Sequence, residues 1–167
     1  MSAYKIIATQ MTRTDVLVAA LEQVKPKWKG HIKSDETGSI PLYGYQGDDR
    51  TKKNKSDKNY APPCTVMIPG EGSSRAGRGK NVVGGASNDI GFSRKADGTF
   101  VIHVSDYDRH KYGKDWENKI KMEYGLVEKV DTAVKAGAQI GQRQTFNHPK
   151  WGQVEGVRCR IRAGQLT

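Results

Sequence analysis

The alternation of apolar and polar residues predicts a strand followed by a helix at the start of the chain. Residues 4–9 (YKIIAT) alternate and are rich in β-branched side chains, which is typical of a strand with one face on a core. Apolar residues at helical spacing follow: Leu17, Ala20, Leu21 and Val24. Pro26 ends this pattern, and Thr12 and Asp15 have the spacing of a capping box, so a first helix is predicted over residues 13–25.

A β-hairpin and a long helix are predicted in the second half of the chain. Residues 88–94 and 99–105 alternate apolar and polar positions, and Asp97-Gly98 between them has turn chemistry. Over residues 114–136 one apolar stripe has helical spacing: Trp116, Ile120, Tyr124, Val127, Val130 and Val134. Gly137 follows the helix at the position of a C′ glycine, which accepts left-handed dihedral angles. Two final strands, over residues 138–146 and 153–162, are expected to form another hairpin.

The region between the first helix and the first hairpin is less regular. Residues 30–39 are typical of a polar loop, and residues 40–46 predict a strand interrupted by Gly44. Residues 48–80 carry eight basic and four acidic side chains, and among them only residues 64–68 (CTVMI) resemble a strand. We therefore predict an extended basic insertion at residues 48–86, because loops of this length without structure are uncommon in compact domains and tend to be functional or disordered.

These elements predict one α+β domain over residues 1–167. A mainly antiparallel sheet is expected to pack one face on two helices and to leave the other face partly exposed. The length of 167 residues is ordinary for one domain. The fold class is therefore α+β, with a long basic loop insertion.

The charge balance favours an acidic partner. The chain has 28 Lys and Arg against 18 Asp and Glu, a net charge of +10. A surplus of this size attracts polyanions, so nucleic acid, a ribonucleoprotein or an acidic protein is expected as partner. No apolar run approaches the roughly 18 residues of a membrane span, and the first residues lack a signal-peptide profile. We therefore expect a soluble cytoplasmic protein with no membrane contact.

The last predicted strand carries the strongest functional pattern. Val157, Cys159 and Ile161 are expected to face the core. Arg158, Arg160 and Arg162 would then share the opposite face at about 6.8 Å spacing, which suits successive phosphates or acidic side chains. Arg143 has outward parity on the neighbouring strand, so that four guanidinium groups could converge. The alternative is that carboxylates such as Asp89 or Glu155 neutralise these arginines.

A glycine-rich basic stretch over residues 70–81 suggests a nucleotide loop but does not match a P-loop. If Gly79-Lys80 is aligned with that motif, the motif requires glycine at position 74 and Ser or Thr at position 81. This chain has Ser74 and Asn81 there. Arg75, Arg78 and Lys80 instead suit sequence-independent phosphate contacts from a mobile clamp. The alternative is a solvated loop without a ligand.

Catalytic and metal chemistry receive little support. His103, Asp106, Asp108 and His110 lie within eight residues but lack a helical metal-binding spacing, so no metal and no cofactor is predicted. Neither cysteine stands in a context that activates a thiol, and a core-facing Cys159 would be inert. We therefore expect a protein without catalytic residues.

Five features carry a resemblance to a known family. They are the first strand and helix ending in Lys27-Trp28-Lys29, residues 43–47 (YGYQG), residues 88–93 (NDIGFS), the helix from Trp116 to Gly137 with Glu123-Tyr124, and the final hairpin. In this order they resemble the hypothetical chloroplast open-reading-frame-thirty-five family, a domain of unknown function in cyanobacteria, plastids and some phages. The resemblance covers most of the chain outside residues 47–87, where the basic segment is longer than the family's usual connection. It implies a fold and a setting, such as a plastid stroma, an infected cell or a virion, but no catalytic residues.

The predicted function is a non-enzymatic basic binding module for nucleic acid or a ribonucleoprotein surface. Its platform would be Arg143, Arg158, Arg160 and Arg162, and its clamp Arg75, Arg78 and Lys80. The alternative is a protein-interaction or assembly subunit of a phage, cyanobacterial or plastid complex that does not contact nucleic acid.

Overall fold

A computed structural model describes residues 3–78, 86–150 and 152–160 of the chain. The strands in these ranges are β1 Tyr4–Ala8, β2 Lys33–Ser34, β3 Val66–Ile68, β4 Ile90–Arg94, β5 Phe100–Ser105, β6 Gln139–His148 and β7 Gly152–Arg160. The α-helices in these ranges are α1 Thr14–Val24, α2 Glu71–Arg75 and α3 Lys114–Lys135. Single 3₁₀ turns occur at Pro26–Trp28, Arg50–Lys52 and Asp108–His110.

Five of the described strands form one antiparallel sheet in the order β1-β5-β4-β3-β2. Strand side chains alternate between the two faces, and one face carries Ile90, Phe92 and Ile102. These residues share a core with α1 and α3, which bury the apolar stripes that the sequence predicts for them. The predicted α+β fold with an antiparallel sheet is therefore confirmed.

The second face of the sheet is partly covered by the chain that follows β2. A smaller apolar cluster fills this side: Tyr4, Leu42, Ala61, Cys64 and Met67. Gly91 in β4 lets Leu42 approach the sheet, because a Cβ there would stand 2.6 Å from the Leu42 Cδ1. Ile6 on the edge strand β1 stays 69% exposed.

The described part of the predicted insertion, residues 48–78 and 86, belongs to the fold more closely than an extended arm would; residues 79–85 lie outside the described residues. The segment contributes β3, which lies between β2 and β4, and the short helix α2. Arg50, Asn59 and Cys64 in it are buried. The predicted strand over residues 40–46 is wrong, since only isolated bridges form there, and the predicted loop over 30–39 contains β2.

The two ends of the long helices show one wrong and one confirmed prediction. The Thr12–Asp15 capping box does not form: the N-cap of α1 is Arg13, which has no side-chain cap. The amides of Thr12 and Arg13 instead donate to the Tyr124 hydroxyl on α3, at 3.1 and 3.0 Å. At the end of α3, Gly137 has φ of 83° and its amide donates to the Val134 carbonyl, as predicted for a C′ glycine.

Strands β6 and β7 form a second, two-stranded sheet. The final hairpin is thus confirmed, but it is separate from the five-stranded sheet and contacts α3. The described residues of β6 and β7 are exposed or half-buried. No helix among the described residues is long and apolar enough to span a membrane.

Candidate functional site

The β6–β7 hairpin places Arg158 and Arg160 on one exposed face. Strand alternation puts Gly156, Arg158 and Arg160 on the same side, and the register adds Gln139 opposite Arg160 and Gln144 opposite Gly156. We call Gln139, Gln144, Arg158 and Arg160 the arginine face. They line a depression of about 270 Å³ together with Ile140, Gly141 and Gln142.

The arginines of this face are unpaired within the described structure. Neither Arg158 nor Arg160 makes an ion pair with any carboxylate in the described ranges, and both side chains are exposed. The predicted shared face is therefore present for these two residues. Arg162 lies outside the described residues.

Arg143 does not join the arginine face, which corrects the sequence-based prediction. The register shifts between Ile140 and Arg143, so Ile140 lies opposite Cys159 and Arg143 opposite Val157. This irregularity returns Arg143 to the side of Val157, away from Arg158. There its guanidinium pairs with Glu123 on α3 at 2.6 Å and with Glu155 at 3.0 Å. The hydrogen bond to Glu123 is the main reason why the pKa of Arg143 is raised.

The environment of the two cysteines also differs from the prediction in part. Cys159 was expected to face the core, yet its side chain is exposed, because the hairpin stands outside the main core. Cys64 is buried, and burial raises the pKa of its thiol to about 12. Cys64 is therefore protonated at neutral pH and unreactive.

Two of the three predicted clamp residues lie against tyrosine rings. The Arg75 guanidinium carbon is 4.0 Å from the centre of the Tyr45 ring, and one Arg75 nitrogen donates to the Tyr45 hydroxyl at 2.8 Å. Arg78 lies 6.0 Å from the Tyr43 ring. The contact with Tyr45 orients the Arg75 guanidinium, which also forms a loose ion pair with Glu71 at 3.9 Å, whereas Arg78 lies at the outer limit of a cation–π contact. Lys80 lies outside the described residues.

A buried carboxylate, Asp89, holds residues 70–78, which we call the clamp segment, to the sheet. It accepts hydrogen bonds from the amides of Tyr43 at 2.9 Å, Gly70 at 2.8 Å and Ser73 at 3.2 Å. The Ser73 hydroxyl donates a further bond at 2.6 Å. Burial raises the pKa of Asp89, although these donors oppose the shift. The sequence predicts Asp89 only as a charge that could neutralise arginines, because no local pattern indicates that it lies buried against these donors.

Asp108, in the connection that follows β5, is a second buried carboxylate that accepts hydrogen bonds from neighbouring segments. It accepts bonds from the Ser87 amide at 2.7 Å, from the Asn88 amide at 3.0 Å and from the Ser105 hydroxyl at 2.6 Å. The Oδ1 atom of Asn88 in turn accepts a hydrogen bond from the Tyr45 amide at 3.0 Å. Asp89 and Asp108 therefore connect the ends of β4 and β5 to the segment that carries Tyr45.

These connections border a pocket of about 470 Å³ that the sequence did not reveal. Its lining residues are Tyr45, Gln46, Arg50, Glu71, Ser87, Asn88 and Tyr107. Arg50 is only 2% exposed. A Cβ at Gly44 would overlap its guanidinium, so the glycine at this position makes room for Arg50. Gly44, predicted as a strand interruption, is the sequence feature that relates to this site, because a larger residue there would displace Arg50.

The histidines and aspartates near residue 106 do not form a metal site. Among the described residues no three His, Cys, Asp or Glu side chains come together to hold a metal. His103 is buried on the sheet, with its Nε2 2.6 Å from the Ser93 hydroxyl. Asp108 is occupied by the bonds given above.

We expect His103 to make the protein less stable in acid. Burial lowers the pKa of His103 from 6.5 to about 4, so the unfolded chain binds a proton in this interval before the folded chain does. The contribution of the neutral ring to the free energy of unfolding is fully present above pH about 6.5. Up to about 3 kcal/mol of this free energy is lost as the pH falls to about 4. Urea unfolding at several pH values measures this loss.

The matched comparison for this prediction uses two histidine variants. His103→Gln keeps a partner for Ser93 and should flatten the profile between pH about 4 and about 6.5. His110→Gln, at an exposed histidine, should leave the profile unchanged. Equal slopes for the wild type and His103→Gln would contradict the assignment.

A scan against family models found no match for this chain, and searches of curated proteins and of solved structures found none either. Membership of the hypothetical chloroplast open-reading-frame-thirty-five family stays a prediction from the motifs.

Proposed function

We propose that this protein is a non-enzymatic module that binds nucleic acid through the arginine face of the β6–β7 hairpin. The observation that carries the proposal is the pair of exposed guanidinium groups of Arg158 and Arg160, which share a face and have no carboxylate partner in the described ranges. A net charge of +10 would raise the local concentration of such a ligand.

The chemistry of the arginine face suits a nucleic acid better than a single small anion. Guanidinium groups bind phosphate through two parallel hydrogen bonds and stack on bases. Gln139 and Gln144 beside them offer both donors and acceptors, which base edges require. The carboxylates of Glu123 and Glu155 are engaged by Arg143 on the other face, and this arrangement keeps them from Arg158 and Arg160.

Arg75 and Arg78 supply further cations for the same ligand. Both are exposed, and the contact with Tyr45 orients the Arg75 guanidinium. Contacts of this kind add affinity without sequence information.

One observation favours the second candidate function, an assembly subunit. Strands β6 and β7 pair only with each other among the described strands, so each presents an unpaired edge. Such an edge can accept a strand from another protein. In this case the hairpin would bind a protein instead of nucleic acid.

The test is a titration of labelled single-stranded RNA, single-stranded DNA and duplex DNA with the full chain. At about 50 mM salt we expect saturable binding to at least one of them. The logarithm of the association constant should fall linearly with the logarithm of the salt concentration. A flat isotherm for all three at this salt concentration would refute nucleic-acid binding. If a protein then co-purified in stoichiometric amount from the native host, the assembly function would be favoured.

A further inference from the structure

We propose that the pocket lined by Tyr45, Arg50, Glu71 and Tyr107 binds a nucleoside monophosphate. This site shares no lining residue with the arginine face. The proposal therefore does not depend on nucleic-acid binding by the hairpin.

The size of the pocket suits a small molecule. Its volume of about 470 Å³ lies within the range of about 300–1,000 Å³ that is typical of small-molecule sites. It is bordered by the connections after Leu42, after Ile68 and before β4, which Asp89 and Asp108 tie together. The lining is thus held by buried hydrogen bonds.

Arg50 provides the binding group for an oxyanion. Its side chain is buried and lines the pocket, and its Nη1 has no hydrogen-bond acceptor in the described structure, while its Nε has only an ion pair with Asp48. A buried guanidinium donor without an acceptor is costly, and a bound oxyanion would supply the missing acceptor.

Asp48 does not cancel the positive charge at this point. Its carboxylate lies 3.1 Å from the Arg50 Nε and 3.2 Å from the Lys53 Nζ, and neither of its oxygens accepts a hydrogen bond in the described structure. One carboxylate is thus shared by two cations, and the three groups together keep a positive charge. With Glu71 and Arg75 at the mouth of the pocket included, three cations face two carboxylates, and this surplus of one charge favours an anionic ligand.

Two exposed tyrosines point to a planar ring on that ligand. Tyr45 is 43% exposed and Tyr107 is 62% exposed, and both line the pocket. Exposed tyrosine rings at the mouth of a pocket offer faces on which a base can stack. Arg75 covers one face of the Tyr45 ring and adds a second cation at the same mouth, so a base would stack on the Tyr107 ring or on the other face of Tyr45.

Glu71 accounts for the remaining part of the ligand. Its carboxylate is half-buried and has a loose ion pair with Arg75, at 3.9 Å. A carboxylate in this state accepts hydrogen bonds from hydroxyl groups, such as those of a ribose. An oxyanion for Arg50, a ring for the tyrosines and hydroxyls for Glu71 are combined in a nucleoside monophosphate.

The first experiment titrates the full chain by calorimetry with each of the four common ribonucleoside monophosphates. Matching nucleosides, inorganic phosphate alone and 4-hydroxybenzoate are titrated in parallel. At least one monophosphate should bind with a dissociation constant below about 1 mM. Its nucleoside and inorganic phosphate should each bind at least about tenfold more weakly, because each makes only part of the contacts.

Variants place the ligand in the pocket. Tyr107→Ala should weaken the binding of the monophosphate by about tenfold. Glu71→Gln should weaken it by only about threefold, because the loss of a charged acceptor is partly offset by weaker repulsion of the phosphate. Arg50→Gln should reduce the affinity for the monophosphate to that of the nucleoside, provided that a melting curve shows a folded protein. Lys52→Gln, at an 83% exposed side chain outside the lining, is the charge-matched control and should change the affinity by less than about twofold.

Four outcomes would overturn the proposal. The first is no binding of any monophosphate below about 1 mM. The second is inorganic phosphate binding as tightly as the monophosphate, and the third is 4-hydroxybenzoate binding more tightly than every monophosphate. The fourth is binding that Tyr107→Ala and Glu71→Gln leave unchanged, which would place the ligand elsewhere and leave Arg50 and Asp48 as a structural ion pair only.

Discussion

Replacing Arg158 and Arg160 together by glutamine is expected to weaken the binding of a single-stranded oligonucleotide by about 100-fold at low salt. Both guanidinium groups are exposed and lack a carboxylate partner in the described ranges, so the variant removes two phosphate contacts without opening an internal ion pair. The slope of log affinity against log salt should fall by about 1.4, since each phosphate contact on a single strand contributes about 0.7. Fluorescence anisotropy between about 50 and about 200 mM salt measures both quantities.

A charge-matched control separates this face from the overall charge of the protein. Lys119 and Lys129 lie on exposed positions of α3, and their double replacement by glutamine removes the same charge. We expect this control to weaken binding by less than about fivefold. If both double variants lost the same affinity, the arginine face would have no special role and only the net charge would matter.

Asp89→Asn is expected to lower the free energy of unfolding by about 3 kcal/mol, much more than the control substitution Asp97→Asn. The Asp89 carboxylate accepts three amide bonds and one hydroxyl bond from Tyr43, Gly70 and Ser73. An asparagine presents one acceptor oxygen and turns an NH₂ group toward donors, so buried N–H groups lose their partner. Urea unfolding measures the loss.

Asp97→Asn is the matched control for this change. Asp97 caps the turn between β4 and β5, but it is exposed, and water can replace its partners. We expect a much smaller loss from this variant. A loss for Asp89→Asn no greater than that for Asp97→Asn would show that the buried carboxylate does not hold the clamp segment.

The elements that were predicted correctly are those that depend on local pattern. The α3 helix has an apolar stripe and a C′ glycine, and the turn at Gly98 has φ of 84° and local hydrogen bonds. Helical periodicity and turn chemistry act over a few residues, so the sequence alone carries them.

The helix cap of α1 and the strand face of Arg143 were predicted wrongly for a common reason. The amides of Thr12 and Arg13, just before α1, donate to the Tyr124 hydroxyl, which is more than a hundred residues away along the chain. The face of Arg143 depends on a register shift in β6, and a one-residue shift moves every later side chain to the other face. Parity along one strand does not report such a shift.

The sequence by itself determined the secondary structure of the regular segments, the α+β class and the positive charge, because these follow from local periodicity and composition. Only the tertiary structure decided which arginines stay unpaired and where the pocket lies. Arg143 forms an ion pair with Glu123, and Arg50 lines the pocket together with residues from other segments of the chain. Such contacts are set by packing and buried hydrogen bonds, which no local pattern records.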